Sequence, residues 1–563
     1  MTLVCGIKLT HDGGIALVEA TSVGPRLVAA TEVEKYDNRP RHADLADTDL
    51  IVELLAQFGY KPGDVDQFVV DGWGRQACTA GLPVTGSLGT RMVRTAPYRQ
   101  SDDDHPVLHQ FRPDSPLRLG GRDHSYASYR HVESHLAAAY LTGPAAARRE
   151  AALVLVWDGG VFPELYLVDP DRRAVEHRGH LFGIPGSVYS GFSCNVPPFS
   201  PEPNWDERRT HDFHLTMPGK VMAYAGLGVV DESYVCELRR ALARLDGRRD
   251  APGALFDLVH QLAVDRELSG ADILATFQET LARLLVEGLA RALETVGTPV
   301  RTLCFAGGSA LNIKWNSAIR ASGLFDTVWV PPFPNDSGSA VGTACAHLMG
   351  QARYAPLRWS VFCGPALSPS KPPSGWRGEP CSTTELGVLL ATSGAPVVVL
   401  GGRAELGPRA LGHRSILAAP TSPDMVETLN RIKSRESYRP VAPICLEEHS
   451  AEVFTPGGAD PYMVFDHHVR PRWRNRIPAV VHVDGTARLQ TVNDRESPLA
   501  AAVLRSFADR TGIPVLCNTS ANYLGSGFFP DEASAMDWGG TDYVWADGVL
   551  HTRDDNCHPR ATE

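Results

Sequence analysis

One short pattern occurs twice in this chain, and it limits the folds available more than any single motif does. The apolar run Val4 to Leu9 meets His11-Asp12-Gly13-Gly14, and strand-like runs follow at Ile15 to Val18 and Leu27 to Thr31. Downstream, Leu153 to Val156 runs into Asp158-Gly159-Gly160, followed by a strand at Leu165 to Val168, the turn Asp169-Pro170-Asp171-Arg172 and another strand. Strand, Asp-Gly turn, strand, strand, given twice, is what a duplicated α/β nucleotide-binding fold would produce; chance recurrence of a short pattern is the alternative.

At 563 residues the chain exceeds what one core supports, so two or more domains are expected. Apolar residues from Ile273 to Leu289 recur at helical spacing, predicting a long amphipathic helix over Asp272 to Leu293. A short strand (Thr302 to Phe305) follows, and Gly307-Gly308-Ser309-Ala310-Leu311-Asn312 opens another helix. The stretch from Arg358 to Cys381, rich in Pro, Gly and Ser, reads as the interdomain linker, and a new α/β pattern begins after it. No apolar run is long enough to span a bilayer, and the N-terminus reads directly as a strand without a basic leader. With 11 scattered cysteines and no C-x-x-C pair, reduced thiols and a cytoplasmic location are expected. The net charge of −11 argues against a nucleic-acid backbone as the main partner.

His131 and His135 stand at i and i+4 in a segment of good helix formers, which puts both imidazoles on one helix face. Two surface histidines are the plain reading. A metal site becomes the better one because two Gly-flanked aspartates, Asp158 and Asp336, stand where loops follow strands. Two His with one or two carboxylates suit Fe(II), Mn(II) or Zn(II). Glu133 points to another face and is not counted. The Asp-Gly turns, the Gly307-Gly308 loop, Met217-Pro218-Gly219-Lys220 and Asn312 share a different logic. Glycine lets backbone N–H groups approach phosphate oxygens, so these segments make a nucleotide site plausible against the alternative of ordinary turns.

The densest stretch lies in the second domain. Gly402 to Ile416 sets Arg403, Arg409, His413 and Arg414 among glycines and a proline, and Asn430 to Pro443 adds Lys433, Arg435 and Arg439. Farther on come Asp484-Gly485-Thr486-Ala487-Arg488 and Asn518-Thr519-Ser520. Arg forks suit phosphate and carboxylate oxygens. A cationic, hydroxyl-lined pocket for a polyanion is expected rather than a solvated basic face.

These motifs, in this order, resemble the NodU/CmcH/TobZ-type O-carbamoyltransferase family. The resemblance rests on His11-Asp12-Gly13, the His131/His135 pair, Pro218-Gly219-Lys220, Gly307-Gly308, Pro334-Asn335-Asp336-Ser337-Gly338, Glu405 to Ile416, His482 to Arg488, and Asn518-Thr519-Ser520. It implies an N-terminal actin-like domain over 1–365, of the ASKHA type seen in tRNA threonylcarbamoyl-transfer enzymes, and a C-terminal YrdC-like α/β domain over 366–563. It further implies that carbamoyl phosphate and ATP (with Mg2+) form carbamoyl-adenylate in the C-terminal domain. The carbamoyl group then passes to a hydroxyl of a small-molecule acceptor in the N-terminal domain.

By position, Lys433, Arg439, Arg488, Asn518, Thr519 and Ser520 match the family's carbamoyl phosphate and ATP contacts, with Arg409 and Arg414 on phosphates. His131, His135, Asp158 and Asp336 match its metal ligands, expected to hold Fe(II) or another divalent ion as a Lewis acid. Asp12, Gly13, Gly159, Gly160, Lys220, Gly307, Gly308 and Asn312 would hold the adenylate. Lys433 and Arg439 would act in activation. His11 is either the general base for the acceptor hydroxyl, a task an imidazole of pKa ~6.5 suits, or a residue that holds its loop.

Two segments depart from the family's usual text, Ser193 to Arg209 and Arg112 to Arg130, and they read as acceptor-specificity loops. After Asn518-Thr519-Ser520 the family's Phe is Ala521, and Tyr523 to Phe529 is unusual. The rival readings are a tRNA threonylcarbamoyl-type transferase and an inactive actin-like binding or regulatory module. Acidic net charge weighs against the first and the retained cationic and His/Asp residues against the second. The acceptor reads as a natural product, antibiotic or sugar-like. A homodimer is compatible with everything above, and no membrane or nucleic-acid partner is expected.

Overall fold

A computed structural model describes residues 2–74, 81–87, 89–99, 105–202, 204–245, 261 and 267–554. The chain forms two compact units: Met1–Ala30 with His42–Trp359, and Thr31–Arg41 with Ser360–Glu563. The second unit thus takes an eleven-residue segment that the sequence reading left in the N-terminal domain, and its main part begins at Ser360.

The first unit holds two five-stranded mixed sheets of the same design. In the first, β1 (Thr2–Lys8), β2 (Gly14–Thr21), β3 (Gly24–Glu32), β4 (Gln67–Asp71) and β5 (Tyr126–Tyr129) lie in the order β3-β2-β1-β4-β5. In the second, β6 (Ala152–Val156), β7 (Glu164–Asp169), β8 (Ala174–His180), β9 (Thr302–Ala306) and β10 (Thr327–Trp329) lie in the order β8-β7-β6-β9-β10. β1 and β6 each pair antiparallel with the next strand and parallel with a later one, in both cases from the same relative place. The repeated strand–turn–strand pattern is therefore a structural repeat. β1 and β6 are central and covered on both faces, which is why they read as unbroken apolar runs instead of alternating ones.

Each half sends a helix back after its outer parallel strand: α1 (His131–Leu141) after β5 and α2 (Ser339–Gly350) after β10. Every residue of α1 is buried. The two helices touch backbone to backbone, since a Cβ on Gly342 would meet Ser134 O at 2.2 Å. Only glycine fits there. The ends of β1, β4 and β6 and the starts of α1 and α2 therefore converge on one place.

The second unit is built on an eight-stranded sheet with a core of Val397–Leu400, Arg414–Ala418, Ala442–Leu446 and Val515–Ser520. Trp376–Pro380, expected in the linker, is instead an edge strand paired antiparallel with Val549–Arg553. The proline- and glycine-rich composition there suits an edge, where one side of the backbone needs no ladder partner. Among the described residues no helix is long and apolar enough to cross a membrane.

Candidate functional sites

The two histidines open α1, and their Nε2 atoms lie 3.1 Å apart. Asp336 Oδ1, just before α2, lies 3.2 Å from His131 Nε2 and 3.4 Å from His135 Nε2. Asp158, in the turn after β6, lies 3.8 Å from His131 Nε2 through Oδ2 and 3.9 Å from His135 Nε2 through Oδ1. All four residues are buried and offer ligand atoms within 4.8 Å of one another. Donors bonded to a first-row divalent ion at about 2.0–2.2 Å sit at such separations from each other, so the residues fit the ion that the sequence suggests. Glu133 is engaged elsewhere: Arg130 pairs with it at 2.9 Å and Leu108 N donates to it.

The ligands are held from behind by groups the sequence reading did not single out. Tyr98 donates its hydroxyl to Asp158 Oδ2, and Gly308 N donates to Asp158 Oδ1 at 2.6 Å. Burial and the Asp158 charge push the Tyr98 phenol well above its ordinary pKa, which keeps it a donor. Burial alone would raise the Asp336 carboxyl, but Lys8, His131 and His11 overcome it and hold it well below the usual range. Trp73 walls the cluster, with its ring 5.1 Å from those of His11 and His131 and 5.0 Å from that of Tyr98.

His11 sits at the rim. Its Nε2 lies 3.4 Å from Asp336 Oδ2, and its Nδ1 lies 3.0 Å from Asp12 Oδ2. Asp12 has a positive φ of 55°, and its Oδ1 meets His42 Nδ1 at 3.0 Å. Its carboxylate, expected to contact the adenylate, is thus engaged by two imidazoles, one of them that of His11. Helix Glu207–Ala225, which begins within the first departing segment, brings the His211 ring to 5.9 Å from that of His11. Pro203 of that segment lies outside the described residues.

Several expected phosphate donors point inward. Gly307 N donates to Pro334 O at 2.7 Å, Gly160 N to the Tyr98 hydroxyl, and Gly13 N to Ala43 O. Asn312 caps helix Ile313–Ala321 by accepting from Lys314 N and Trp315 N. Gly159 lies in the Asp158 turn, where its carbonyl accepts from Ser187 N. Lys220 is within helix Glu207–Ala225 and not on a loop, because Pro218 is accommodated inside that helix.

In the second unit the Gly402 to Ile416 stretch folds around an acid of its own. Leu411 N, His413 N and Arg414 N donate to Glu405 Oε1 at 2.7, 2.8 and 3.1 Å. Lys35, paired with Glu32 at 2.8 Å, donates to the carbonyls of Glu405 and Gly407. Arg414 is buried, and both terminal nitrogens of its guanidinium donate to carbonyls, those of Gly401, His413, Pro365 and Gly402, which binds the loop together. The Lys433 ammonium donates to Ser520 O, Asn522 O and Asn522 Oδ1, using its three hydrogens. Asn518 donates to Ala410 O and Gln490 Oε1 within the sheet.

The remaining cations act on one another's charge. Burial, then the charges of Arg488, Arg41, Arg439 and Arg435, push the Arg409 guanidinium well below its ordinary pKa. Burial and Arg439, Arg41 and Arg488 likewise press Arg435 down to about 9, and burial with Arg439 presses Arg488 to about 10. Among the described residues the acids in reach include Glu436, 3.7 Å from Arg439, and Asp460 near Arg488. Arg435 is tied to Thr519 Oγ1 at 3.0 Å and Ser520 Oγ at 3.3 Å. Arg41 arrives on the Thr31–Arg41 segment, fixed by Arg41 N to Gly525 O at 2.8 Å and Gly527 N to Arg39 O at 2.9 Å. Arg435 stood in a run already read as cationic; nothing local marks Arg41.

Residues 3–85 and 121–345 match the family described as carbamoyltransferase N-terminus, and residues 389–550 match carbamoyltransferase C-terminus. The chain belongs to the carbamoyltransferase family. Nodulation protein U of Sinorhizobium fredii is 45% identical over 98% of this chain and 99% of its own. The 3'-hydroxymethylcephem-O-carbamoyltransferase of Streptomyces clavuligerus is 33% identical over 93% of this chain and 94% of its own. Among solved structures, full-length HypF in its phosphate- and nucleotide-bound form aligns with a TM-score of 0.33 at 13% identity, over 62% of this chain and 55% of that one. The carbamoyltransferase is thus an enzyme with a buried His/Asp cluster in one unit and an arginine cluster in the other.

Proposed function

We propose that this carbamoyltransferase is an ATP-dependent O-carbamoyltransferase with its two half-reactions divided between the two units. The observation that carries this reading is the opposite sign of the two clusters. Arg409, Arg435, Arg439, Arg488 and Arg41 press on one another's charge with little acid nearby, and a polyanion relieves that repulsion. Carbamoyl phosphate with ATP suits that cluster. Arg409, Arg439 and Arg488 bind phosphate oxygens, Arg435 orients through Thr519 and Ser520, and Lys433 fixes the Ser520–Asn522 wall. Water and carbamoyl phosphate yield carbamate and inorganic phosphate. A carbamate oxygen then takes the α-phosphorus of ATP and pyrophosphate leaves, giving carbamoyl-adenylate.

In the first unit, which we take as actin-like, the acceptor oxygen attacks the carbamoyl carbon and AMP departs with the bridging oxygen. His11 takes the hydroxyl proton at Nε2, oriented by the Asp12 carboxylate on Nδ1. His131, His135, Asp158 and Asp336 would hold iron(II) or another divalent ion, which supplies Lewis acidity toward a carbamoyl or phosphoryl oxygen. Trp73, Tyr98 and His211 flank the place where the acceptor hydroxyl must come. The acceptor is a hydroxylated small molecule, antibiotic or sugar-like, a class to which the hydroxymethyl group named for the cephem relative also belongs.

The full-length protein, incubated with ATP, carbamoyl phosphate and a panel of hydroxylated metabolites, should add one carbamoyl mass to a member of the panel. It should release AMP in equal amount. ATP consumption that does not depend on carbamoyl phosphate would overturn the reading.

A further inference from the structure

We propose that Lys8 and Asp71 form an outer shell that orients the metal ligands His131 and Asp336 and sets the charge of their site. The inference rests on the metal reading of His131, His135, Asp158 and Asp336.

Lys8 ends β1 and Asp71 ends β4. The two strands run parallel, with Ile7 opposite Val70, so the next residue of each brings ammonium and carboxylate side by side at the strands' C-terminal ends. Both side chains are 1% exposed and lie 3.0 Å apart. A buried ammonium is costly unless it is paired, and Lys8 is paired twice, since its Nζ also lies 2.9 Å from Asp336 Oδ2. The Trp73 ring covers it at 3.8 Å.

Asp71 uses both oxygens. Oδ1 accepts from Ser134 Oγ at 2.6 Å, while Oδ2 takes Lys8 and, at 2.7 Å, His131 Nδ1. A carboxylate only accepts, so in the neutral imidazole that a metal ion requires the hydrogen of His131 is kept on Nδ1 by Asp71 and the lone pair falls to Nε2, the atom that faces His135, Asp158 and Asp336. Asp71 thereby selects the one tautomer that can ligate through Nε2. Ser134, one turn along α1 from His131, anchors the carboxylate that does so. Lys8 does the corresponding work on Asp336. By holding Oδ2 it leaves Oδ1 directed at the two imidazoles. Tyr98 and Gly308 hold Asp158 in the same manner.

The charges also balance. Asp71, Asp158 and Asp336 bring three negative charges and Lys8 one positive charge, so with neutral imidazoles the cluster carries the two negative charges that a divalent cation neutralises. Asp71 and Lys8 are therefore positioning residues, acting through the ligands without binding the ion.

The test is a Co(II) titration of metal-stripped full-length protein by chelator competition, with the visible Co(II) bands as a second readout. The wild type should bind one ion, and His135→Ala should not. Asp71→Asn should weaken binding by about 10- to 100-fold and shift the bands, because the amide no longer enforces the Nδ1–H tautomer. Lys8→Met should shift the bands through a loosened Asp336, while Ser134→Ala should weaken binding by only about threefold. If Asp71→Asn does not accumulate folded, the Lys8→Met/Asp71→Asn double variant, which removes both charges together, should show the same loss. Wild-type affinity and bands in the folded Asp71 and Lys8 variants would overturn the proposal. A wild type that binds no stoichiometric Co(II) would overturn the metal reading itself, and the proposal with it.

Discussion

The two clusters of this enzyme solve opposite problems. In the first unit, carboxylates and imidazoles converge on a point, three of the four ligands (His131, Asp336 and Asp158) held from behind by Asp71, Lys8, Tyr98 or Gly308. In the second, arginines from separate stretches of chain press on one another's charge with few acids among them. Convergence on a point suits a single ion. Dispersed like charge suits an extended polyanion. Residue type alone does not separate the two roles within the cationic region. Arg414 and Lys433 are spent on backbone and side-chain oxygens of the protein itself, while Arg409 is pressed by the other arginines.

The largest effect expected from breaking this comparison is at the convergent site. His135→Ala should lower carbamoyl transfer by at least ~1,000-fold, since several kcal/mol of charge stabilisation would be lost. Carbamoyl phosphate-dependent ATP consumption should stay near the wild-type rate. Equal loss of both steps would remove the division of labour between the units.

Next in size is the difference between spent and unspent cations. Arg414→Ala leaves four carbonyl groups short of a donor, two of them in fully buried bonds, and should cost about 3 kcal/mol of stability, read as a lower denaturation midpoint. Arg409→Ala should instead leave the ligand-free protein as stable or slightly more so, because it relieves repulsion. Its cost should appear in adenylate formation, at about 30- to 100-fold, the worth of one charge-assisted phosphate contact. If both variants lose stability alike, the distinction between them fails.

Much of this was legible in the sequence, for reasons that particular residues make plain. β1 and β6 are covered on both faces, so their apolar runs and the Asp-Gly turns after them recorded the repeat. His131 and His135 are one helical turn apart, and helical spacing is a local property. The outer shell was not legible. Lys8 and Asp71 are 63 residues apart and meet only because two parallel strands end together. Nor could sequence show that the glycine loop closes on Glu405, since N–H groups aimed at a phosphate or at the protein's own carboxylate have the same local pattern. The placement of Thr31–Arg41 in the second unit follows from backbone bonds to residues 525–527, which no local signal anticipates.

Occupancy should separate the clusters more gently. Adding ATP or inorganic phosphate should raise the thermal midpoint of the wild type, since a ligand at 100 times its dissociation constant adds about 2.7 kcal/mol. The same addition should move the Arg409→Ala protein much less, and a chelator should lower the midpoint of metal-loaded protein without altering the phosphate effect. Coupled responses would contradict two independent sites.

The smallest expected effect belongs to Arg41. Its side chain is exposed, unlike those of the buried ligands around His131, and it acts on the other arginines through space. An exposed charge works through high-dielectric surroundings and loses reach within a Debye length of about 8 Å at physiological salt. Arg41→Gln should therefore raise the KM for ATP or carbamoyl phosphate by about threefold to tenfold in dilute buffer, with kcat nearly unchanged. At 0.5 M salt the variant and the wild type should converge. Arg439→Gln, with its guanidinium half-buried, should keep its defect at both ionic strengths. An Arg41 defect that salt does not erase would mean that its guanidinium bonds directly to a phosphate, and the arginine cluster would then have no purely electrostatic member.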